Sequence, residues 1–428
     1  MPTLAEVKKS ATPSVPEKNL QELRVLVLAT TFPRWENDAE PRFVFDLTKH
    51  LAEKVSLWVL VPHAPGARME EEIDGVRILR FPYFFPKRLQ TLCYEGGILP
   101  KLKTKWLARL QLPFFLAAQG FHIWRTVRKY KINFIHCHWI IPQGFFVALI
   151  HLVYKIPYIL TGLGADVYAF KNIPLIGTLR NFAIKNAWLC TANSKALVNS
   201  LKSISQKPKF KHIPNGVYED LFHENNRDPQ LKDNLGISGI FLLGVGRFAD
   251  KKGFNYLIQA MPKILAAQPT AKLVLVGYGP NESALKQQVK NLRIENAVFF
   301  PGGKSGLELA RYFATADIFI GPSIVVSGGD TEGQPAVFVE AMSAKTAVVA
   351  SNVGGISDMI EDGVTGLLVA EKDSNAIAEK VITLCENPNL RKSLEENARQ
   401  LVLEKYCWDN IASRFLDIYS THKTDPNG

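Results

Sequence analysis

Two cations in the second half of the chain have the types and spacing to bind a phosphorylated ligand. Arg247 and Lys252 lie in a loop bracketed by Gly244, Gly246 and Gly253, directly after an apolar run. Arginine offers a planar fork of donors and lysine a mobile point charge, so together they can neutralise the charge that develops on a departing diphosphate. The alternative for each cation is an ordinary position on the surface.

A second segment carries two carboxylates around the start of a helix. Glu332 lies shortly before Pro335, which suits the first helical turn because its missing N–H needs no partner there. The free amides of Ala336 and Val337 can then receive a phosphate, assisted by the helix dipole. Glu340 follows on the same face, so one carboxylate can accept from a sugar's hydroxyls and the other from a ribose diol. A solvent-facing pair of glutamates is the alternative, and the coincidence of glycines, proline and paired acids disfavours it.

A single histidine is the candidate in the first half. His138 ends an apolar run, the position at which ligands of parallel sheets bind, although a histidine at a strand end is more often structural. The glycine turns at residues 277–280 and 352–355 allow close approach of the backbone but carry no chemistry of their own.

These residues need a scaffold of alternating strands and helices, which the apolar pattern predicts in both halves. The predicted strands are residues 24–29, 56–61, 76–80, 134–137, 158–161 and 187–192, followed by 240–245, 272–276, 297–300, 317–320 and 347–350. Helical periodicity is clear over residues 43–51, 113–130 and 254–265. The alternation predicts an α/β fold with parallel sheets covered on both faces, with ligands at the carboxyl ends of the strands.

Length and composition exclude several classes of protein. With 428 residues, 47% of them hydrophobic and 21% charged, the chain should form two or three globular domains. Its five scattered cysteines form no CxxC pair, so we expect neither a disulfide framework nor a zinc site, and a reduced, cytosolic setting. The longest apolar stretch, residues 145–153, falls well short of the roughly 20 residues that a spanning helix needs. Neither an integral membrane protein nor a secretory signal in the first 20 residues is expected.

The charge divides unevenly along the chain. The formal net charge is +11, but residues 1–214 hold 30 basic and 14 acidic side chains, whereas the remainder holds 21 and 26. No acidic residue occurs between Glu95 and Asp166, where nine basic residues lie among many Leu, Phe and Trp. This region should attract an anionic bilayer or a phosphate-bearing acceptor, at about 1 kcal/mol per basic residue near the surface. A solvated helix face is the alternative, and nucleic acid is not an expected partner because no recognition motif accompanies the charge.

At these residues the chain resembles the retaining glycosyltransferases of the GT-B fold, specifically family 4, also called glycosyl transferases group 1. The motifs that carry the resemblance are Gly246-Arg247 with Lys252-Gly253, the E-x7-E pair Glu332 and Glu340, IPNGV at 213–217, SNVGG at 351–355 and DGVTGLLV at 362–369. The implied fold is two Rossmann-like doubly wound domains facing across a cleft. We expect a mobile tail at 1–20, an acceptor-binding domain at 21–214, a nucleotide-sugar-binding domain at 215–405, and at 406–428 a tail and a helix that crosses back to the first domain.

The resemblance also implies roles for individual residues. The catalytic set would be Arg247 and Lys252 on the donor diphosphate, Glu332 on the transferred sugar and His138 at the reacting centre. The donor-binding set would be Glu340 on the ribose, Phe300 and Gly302 near the nucleobase, and Gly246, Gly333, Pro335, Ala336 and Val337. The acceptor-side set would be Arg42, Gly164 and Asp166.

Two departures from the family pattern concern the acceptor side. The family commonly has a Gly-Gly loop after its first strand, whereas here residues 30–43 contain no glycine pair. Leu163 stands where the family often carries a histidine, although Gly164 and Asp166 are kept. Any role that relies on that histidine is absent, and Asp166 is equally well explained as a residue that caps its loop.

The resemblance implies transfer of a sugar from a nucleotide diphosphate to a hydroxyl or phosphate of an acceptor, with the anomeric configuration retained. Two routes stay open, front-face displacement and double displacement.

 In the front-face route the leaving diphosphate itself takes the acceptor's proton, so no protein nucleophile is required. A double displacement would instead need a carboxylate beneath the anomeric carbon. No DxD-like pair occurs at a strand end, so we expect the cations to replace a metal ion and no cofactor besides the donor substrate, a nucleotide-diphosphate sugar.

The expected acceptor is lipid-linked or a polysaccharide or glycolipid, with the anionic membrane surface as a partner of the basic half. This implies a cytoplasmic protein, with peripheral attachment to the inner face of the cell membrane as a further hypothesis. A sugar-nucleotide epimerase, a phosphorylase, and a scaffold that binds nucleotide sugar or membrane without catalysis are the alternatives. Retention of Arg247, Lys252, Glu332 and Glu340 argues against the scaffold. The donor sugar, its base, the acceptor and the oligomeric state stay open.

Overall fold

The computed structural model describes residues 20–36, 38, 40–94, 97–164, 167, 174–327 and 329–424. Of the predicted N-terminal tail, only Leu20 is among them, and it is buried. None of the five cysteines, all of which lie in the described ranges, forms a disulfide bond.

Short strands and longer helices alternate along the chain. The strands are β1 Arg24–Leu28, β2 Ser56–Pro62, β3 Glu70–Ile73, β4 Val76–Phe81, β5 Phe134–His138, β6 Tyr158–Gly162, β7 Leu189–Ala192, β8 Lys209–His212, β9 Phe241–Val245, β10 Lys272–Val276, β11 Val298–Gly302, β12 Ile318–Gly321, β13 Ala347–Ser351 and β14 Leu367–Val369. The helices are α1 Phe43–Ala52, α2 Ile98–Thr104, α3 Trp106–Lys129, α4 Gln143–Tyr154, α5 Pro174–Asn186, α6 Lys195–Ile204, α7 Pro229–Asn234, α8 Phe254–Ala267, α9 Glu282–Asn291, α10 Gly306–Thr315, α11 Ala336–Ser343, α12 Ser374–Glu386, α13 Pro388–Lys405 and α14 Trp408–Thr424.

The strands form two sheets. The larger sheet has the order β3-β4-β2-β1-β5-β6-β7-β8, and the smaller one has the order β11-β10-β9-β12-β13-β14. All neighbours in the smaller sheet pair in parallel. In the larger sheet β1 pairs in parallel with β2 and β5, as does β2 with β4 and β5 with β6. The predicted α/β architecture with two parallel sheets is therefore confirmed.

Burial on both faces explains why the strands could be recognised from short apolar runs. In β9, Phe241 and Leu243 pack into one apolar cluster of the smaller sheet, while Leu242 packs into the cluster on the opposite face. In β10, Val274 and Leu273 divide between the same two clusters. A strand that buries alternate side chains in two different cores must be apolar throughout, which is the pattern of a parallel sheet covered by helices.

Several elements differ from the sequence prediction, which contains no counterpart of β3, β8 or β14. Strand β3 was not predicted and pairs antiparallel with β4, because its sequence Glu-Glu-Glu-Ile lies at the edge of the sheet and lacks an apolar run. Helix α3 begins at Trp106 rather than at residue 113, so Pro113 lies inside it. Proline usually starts a helix because it lacks an N–H, and here the preceding turns form despite the lost hydrogen bond.

The chain divides into two compact units. The first consists of residues 1–161, 175–189 and 412–428, and carries β1 to β5. The second consists of residues 162–174 and 190–411, and carries the whole six-stranded sheet. Within the first unit, Tyr419 of α14 packs on Phe134 of β5, with ring centroids 4.9 Å apart. Among the described residues, no helix combines the length and the apolarity needed to span a bilayer.

Candidate donor site and a buried histidine

The loop after β9 presents the two predicted cations of the second unit. The backbone N–H of Gly246 donates to the carbonyl of Val276 over 3.0 Å, which fixes the loop to the end of β10. Arg247 is exposed, and Lys252 ends a turn of 3₁₀ helix at Asp250–Lys252. Gly253 follows at φ +64°, where an added Cβ would collide with the carbonyl of Pro322. Only glycine fits there, so the close approach of these two segments sets the position of Lys252.

Lys252 forms an ion pair with Glu332. Its Nζ lies 3.1 Å from Glu332 Oε1, and both side chains are largely buried. The contact lacks hydrogen-bond geometry, and Glu332 Oε1 has no hydrogen-bond partner among the described residues. The ion pair therefore brings together the Lys252 and Glu332 segments of the predicted site, which are 80 positions apart in sequence. It leaves Glu332 Oε1 available as a hydrogen-bond acceptor for a ligand.

The turn at residues 352–355 holds the loop that carries Glu332. The N–H of Gly355 donates to the carbonyl of Glu332 over 3.0 Å. A Cβ at Gly355 would overlap the carbonyl of Gly333 and lie 2.9 Å from Cβ of Ser194. The turn therefore has a positioning role, for which its second glycine is required by close packing.

Glu340 lies in helix α11 within the electrostatic reach of Lys252. Burial raises the pKa of the Glu340 carboxyl to about 7, and the Lys252 ammonium opposes that rise. Glu340 as a whole residue is half-buried. The Lys252 ammonium therefore interacts electrostatically with both carboxylates, and of the two only Glu332 forms an ion pair with it.

Helix α11 begins one residue later than predicted. Pro335 is its N-cap, with φ −73° and ψ 119°, and no side chain caps the first turn. Ala336 is exposed and Val337 is partly exposed, and the amides of these two residues have no intrahelical partner, whereas the N–H of Phe338 donates to the carbonyl of Pro335. The helix therefore presents unbonded N–H groups at its positive end, which can receive an anion.

Two side chains that the sequence reasoning missed hold this helix at its ends. The side-chain amide of Gln334 bonds the backbone of Asn215 twice, accepting from its N–H and donating to its carbonyl. Arg399 is buried and donates to Ser343 Oγ and to the carbonyls of Ser343, Glu219 and Phe222. Neither contact has a signal in local sequence, because the partners are far apart along the chain.

The predicted nucleobase region lies at the end of β11. The ring of Phe300 packs edge-on against Phe248, with centroids 6.0 Å apart, and the Nζ of Lys286 lies 5.5 Å above it. The carbonyl of Gly302 accepts from the N–H of Gly277 over 3.0 Å, which joins this strand end to that of β10. The carboxyl ends of β9, β10 and β11 thus lie together, as the topology requires.

The first unit contains His138, buried at the end of β5. Neither ring nitrogen has a hydrogen-bond partner among the described residues, and burial lowers the pKa of His138 to about 3. The ring stacks on His136, with centroids 4.1 Å apart. His136 by contrast is satisfied on both sides, by the Tyr419 hydroxyl at 2.7 Å and by Thr161 Oγ1 at 2.8 Å. His138 is therefore a neutral imidazole with one donor and one acceptor left for a ligand.

The acceptor-side candidates are less distinctive. Arg42 is the N-cap of α1, where its Nε lies 3.6 Å from Asp46 Oδ1 and its guanidinium 4.7 Å from the centre of the Phe45 ring. Gly164 follows β6 with φ +122°. Asp166 lies outside the described residues. Arg42 is thus engaged with its own helix, and no charge cluster marks the acceptor side in the described part of the chain.

Further buried acceptors lie in the second unit near the Glu332 loop. Asn193 Oδ1, Thr331 Oγ1 and Ser351 Oγ have no hydrogen-bond partner among the described residues. Asn193 Oδ1 would lie 3.6 Å from a Cβ at Gly333, so it borders the same loop. For Asn193 and Ser351 the sequence offers only a weak signal, namely a polar residue at or just after the end of a strand, and Thr331 lacks even that. No group of three or more His, Cys, Asp or Glu side chains in the described ranges is arranged to hold a metal ion.

Two family models match consecutive parts of the chain. The model described as Glycosyltransferase Family 4 matches residues 41–221, and the model described as Glycosyl transferases group 1 matches residues 229–401. The second match covers the loop after β9, the Glu332 loop and helix α11. The chain belongs to the group 1, family 4 glycosyltransferases.

Known proteins with similar sequence or structure agree with this membership. The chain is 28% identical over 324 residues to N-acetyl-alpha-D-glucosaminyl L-malate synthase of Bacillus anthracis, covering 74% of this chain and 82% of the relative. It is 30% identical over 216 residues to a GDP-mannose-dependent monoacylated alpha-(1-6)-phosphatidylinositol monomannoside mannosyltransferase of Corynebacterium glutamicum, covering 49% and 56%. The solved sucrose-phosphate synthase of Thermosynechococcus elongatus superposes with a TM-score of 0.74 at 21% identity, covering 94% of this chain and 99% of that one. The fold is GT-B.

Proposed function

We propose that this glycosyltransferase moves a sugar from a uridine or guanosine diphosphate sugar to an acceptor, with retention at the anomeric carbon and without a metal ion. The observation that carries the proposal is the Lys252 ammonium beside Glu332 and within reach of Glu340. The site combines a cation for the diphosphate with two acceptors for hydroxyl groups. A donor with both a diphosphate and two sets of vicinal hydroxyls matches this arrangement.

The diphosphate is held by positive charge from three sources. Arg247 is exposed and has no ion pair among the described residues, so it can reach a ligand as a bidentate donor. Lys252 turns from Glu332 to the phosphates, and the first amides of α11 add the positive end of the helix dipole. Fixed cations of this kind stabilise the charge that develops on the leaving group, which is the task that a metal ion performs elsewhere.

The remaining residues orient the donor. Glu332 accepts from hydroxyls of the transferred sugar, and Glu340 accepts from the ribose diol when it is ionised. Phe300 and Gly302 border the nucleobase. In the first unit, His138 stays neutral at physiological pH, so its role in the reaction would be that of a hydrogen-bond partner and not of a cation.

The chemical step follows a front-face route. The bond between the anomeric carbon and the phosphate oxygen breaks, and the acceptor oxygen attacks from the same face. The leaving phosphate oxygen takes the acceptor's proton, so bonds and charges balance without a protein nucleophile. Arg247, Lys252 and the α11 amides hold the negative charge that the diphosphate gains.

We propose a lipid-linked, glycolipid or polysaccharide acceptor, met at the cytoplasmic surface of the membrane. The basic first half of the chain supports this location, because polybasic surfaces bind anionic lipid. The Corynebacterium relative is named for a phosphatidylinositol mannoside acceptor, whereas the Bacillus relative is named for L-malate. Both kinds of acceptor therefore belong in the assay.

The test is release of nucleoside diphosphate from a panel of sugar nucleotides in the presence of EDTA, with extracted lipids and L-malate as acceptors. We expect one donor to be consumed, and NMR of the product to show the donor's anomeric configuration. Glu332→Ala should lower the rate roughly hundredfold, as loss of one preorganised site interaction does. Glu379→Ala is the matched control, because Glu379 is exposed and pairs only with Lys263 in the described structure. Wild-type turnover in Glu332→Ala would overturn the site, and inverted product would overturn the mechanism.

A further inference from the structure

Helix α3 of the first unit exposes a continuous apolar face. Trp106, Leu110, Phe114, Phe121 and Trp124, here called the aromatic face, recur at steps of three, four and seven residues. Such steps place side chains on one side of a helix. Their exposed fractions reach 75% at Trp106, 53% at Phe114 and 51% at Phe121. The other side of the helix is anchored in the core through fully buried residues such as Phe115 and Ile123.

Neighbouring elements extend the aromatic face at two points. The indole Nε1 of Trp124 donates to the hydroxyl of Tyr154 over 2.9 Å, which brings in the end of α4, where Val153 is 72% exposed. The ring of Phe114 lies 5.7 Å from that of Phe84, next to Phe85, which is 87% exposed. A soluble domain rarely exposes so many large apolar side chains together unless they contact a partner.

Basic side chains surround this face. Arg109, Arg125 and Arg128 lie on α3 itself and are exposed, and Arg128 covers the Trp124 ring at 5.5 Å. Lys155 follows α4 directly, and no acidic residue occurs in the sequence from 96 to 165. The nearest acidic contact in the described structure is Glu70, 4.0 Å from Lys129. A second copy of the chain would bring the same positive charges together, so self-association through this face is electrostatically disfavoured.

We propose that the aromatic face docks into the interface of an anionic lipid bilayer, with α3 lying along the membrane plane. The aromatic rings enter the headgroup region, where tryptophan and other amphipathic rings are favoured, and the arginines contact lipid phosphates. Helix α3 offers roughly 36 Å of length for this contact at 1.5 Å per residue. The inference rests on the proposed function for its purpose, which is access to a membrane-borne acceptor, but the binding itself does not depend on catalysis.

Insertion of apolar side chains gives this docking a signature that charge alone lacks. Attraction between basic residues and lipid phosphates is screened at about 1 M salt, where the Debye length is roughly 3 Å. The burial of apolar area is not screened. Binding should therefore need anionic lipid for its full strength, yet retain a salt-resistant part that depends on the aromatic face.

The experiment is flotation of the full chain with vesicles of phosphatidylcholine alone or mixed with phosphatidylglycerol, at low salt and at high salt. We expect binding to the mixed vesicles that persists in part at high salt. The triple variant Trp106→Ser/Phe114→Ser/Phe121→Ser should bind about tenfold less tightly and lose the salt-resistant part. The single variant Trp106→Ser should show a smaller loss in the same direction, which guards against misfolding of the triple variant. Leu307→Ser/Leu403→Ser is the control, since both leucines are exposed in the second unit.

Unchanged binding of a folded triple variant would overturn the proposal. Binding of the wild-type chain only at low salt would also overturn it. So would a triple variant that differs from the wild type in oligomeric mass in solution but not in vesicle binding. Nucleotide binding, measured by thermal shift without vesicles, separates this inference from the proposed function. Vesicle binding without any nucleotide response would refute the function and leave the docking surface standing.

Discussion

At the residue scale, Glu340 has an unusual ionisation for a glutamate. Its carboxyl has a pKa of about 7 because it is enclosed by protein, and the single ammonium of Lys252 is shared with Glu332. In the role proposed above, Glu340 accepts from two hydroxyls of the donor in its ionised form, whereas the empty protein holds it near its titration point. Donor binding favours the ionised form and is therefore linked to pH.

The change Glu340→Gln should remove this linkage. In the wild type, affinity for the nucleoside diphosphate should rise between about pH 6 and about pH 8, because the carboxyl ionises around pH 7. The variant should bind more weakly and lose that part of the pH dependence. Calorimetric titrations across this range measure it, and Glu379→Gln is the exposed control. A wild type and a Glu340→Gln variant with parallel pH profiles would contradict the assignment.

The same variant should stabilise the empty protein. The pKa of Glu340 in the folded protein lies above its ordinary value of 4.5, so ionisation of the carboxyl destabilises the folded state. The free energy of unfolding therefore falls as the pH rises from the pKa of the unfolded chain through about 7. Glu340→Gln should therefore gain on the order of 2 kcal/mol relative to wild type at about pH 8, and little at about pH 5. Urea unfolding at both pH values decides this. Equal differences at the two values would show that the carboxyl is not destabilised by burial.

The candidate site residues could be predicted from their types and spacing, but their contacts and ionisation could not. Arg247, Lys252, Glu332 and Glu340 could be singled out because cations, paired acids and glycine turns coincide in short segments. The contact of Lys252 with Glu332 and the unpartnered ring of His138 depend on distant segments, which one-dimensional spacing does not report.

At the element scale, α11 is the helix that positions the donor site, and it is held at both ends. Gln334 fixes the residue before its N-cap to the backbone of Asn215. Arg399 of α13 fixes its C-terminal residue Ser343. The helix has only eight residues, so these anchors matter more than its intrinsic propensity.

Arg399→Ala should loosen this helix. It removes a buried guanidinium and leaves several carbonyls without a donor, which should cost about 2–4 kcal/mol of folding free energy. Arg391→Ala is the control from the same helix, because Arg391 makes one partly exposed ion pair with Glu395 at 3.7 Å, and such pairs contribute at most about 1 kcal/mol. Chemical unfolding compares the two. Similar losses in both variants would show that Arg399 does not anchor the helix.

The strands of this fold were predictable to within about two residues where both faces are buried, as in β9 and β10. Most of the exceptions are elements whose sequence lacks that burial pattern, although the short apolar strand β14 was missed as well. The charged strands β3 and β8 lie at the two edges of the larger sheet. The sequence pattern placed the start of α3 at Pro113, whereas the helix begins at Trp106. Local propensity decides these elements less than tertiary packing does.

At the scale of the whole molecule, basic residues and exposed large apolar side chains are concentrated in the first half of the chain. The basic excess in residues 1–214 could be counted from the sequence, and so could the absence of acids around α3. The exposure of its tryptophans and phenylalanines could not, because apolar residues at helical spacing more often form a core. The proposed docking surface therefore rests on the fold, whereas the family could be recognised from motifs.

The most direct test of the account is a calorimetric titration of the wild-type chain with UDP, GDP and ADP in the presence of EDTA, repeated with Lys252→Ala and Lys251→Ala. Lys251 is the matched control, because it occupies the same 3₁₀ turn and contacts the exposed Asp330 at 3.7 Å. The account predicts that one nucleotide binds without metal, that Lys252→Ala weakens it about tenfold or more, and that Lys251→Ala does not. Binding that requires a divalent ion, or equal affinity in wild type and Lys252→Ala, would contradict it.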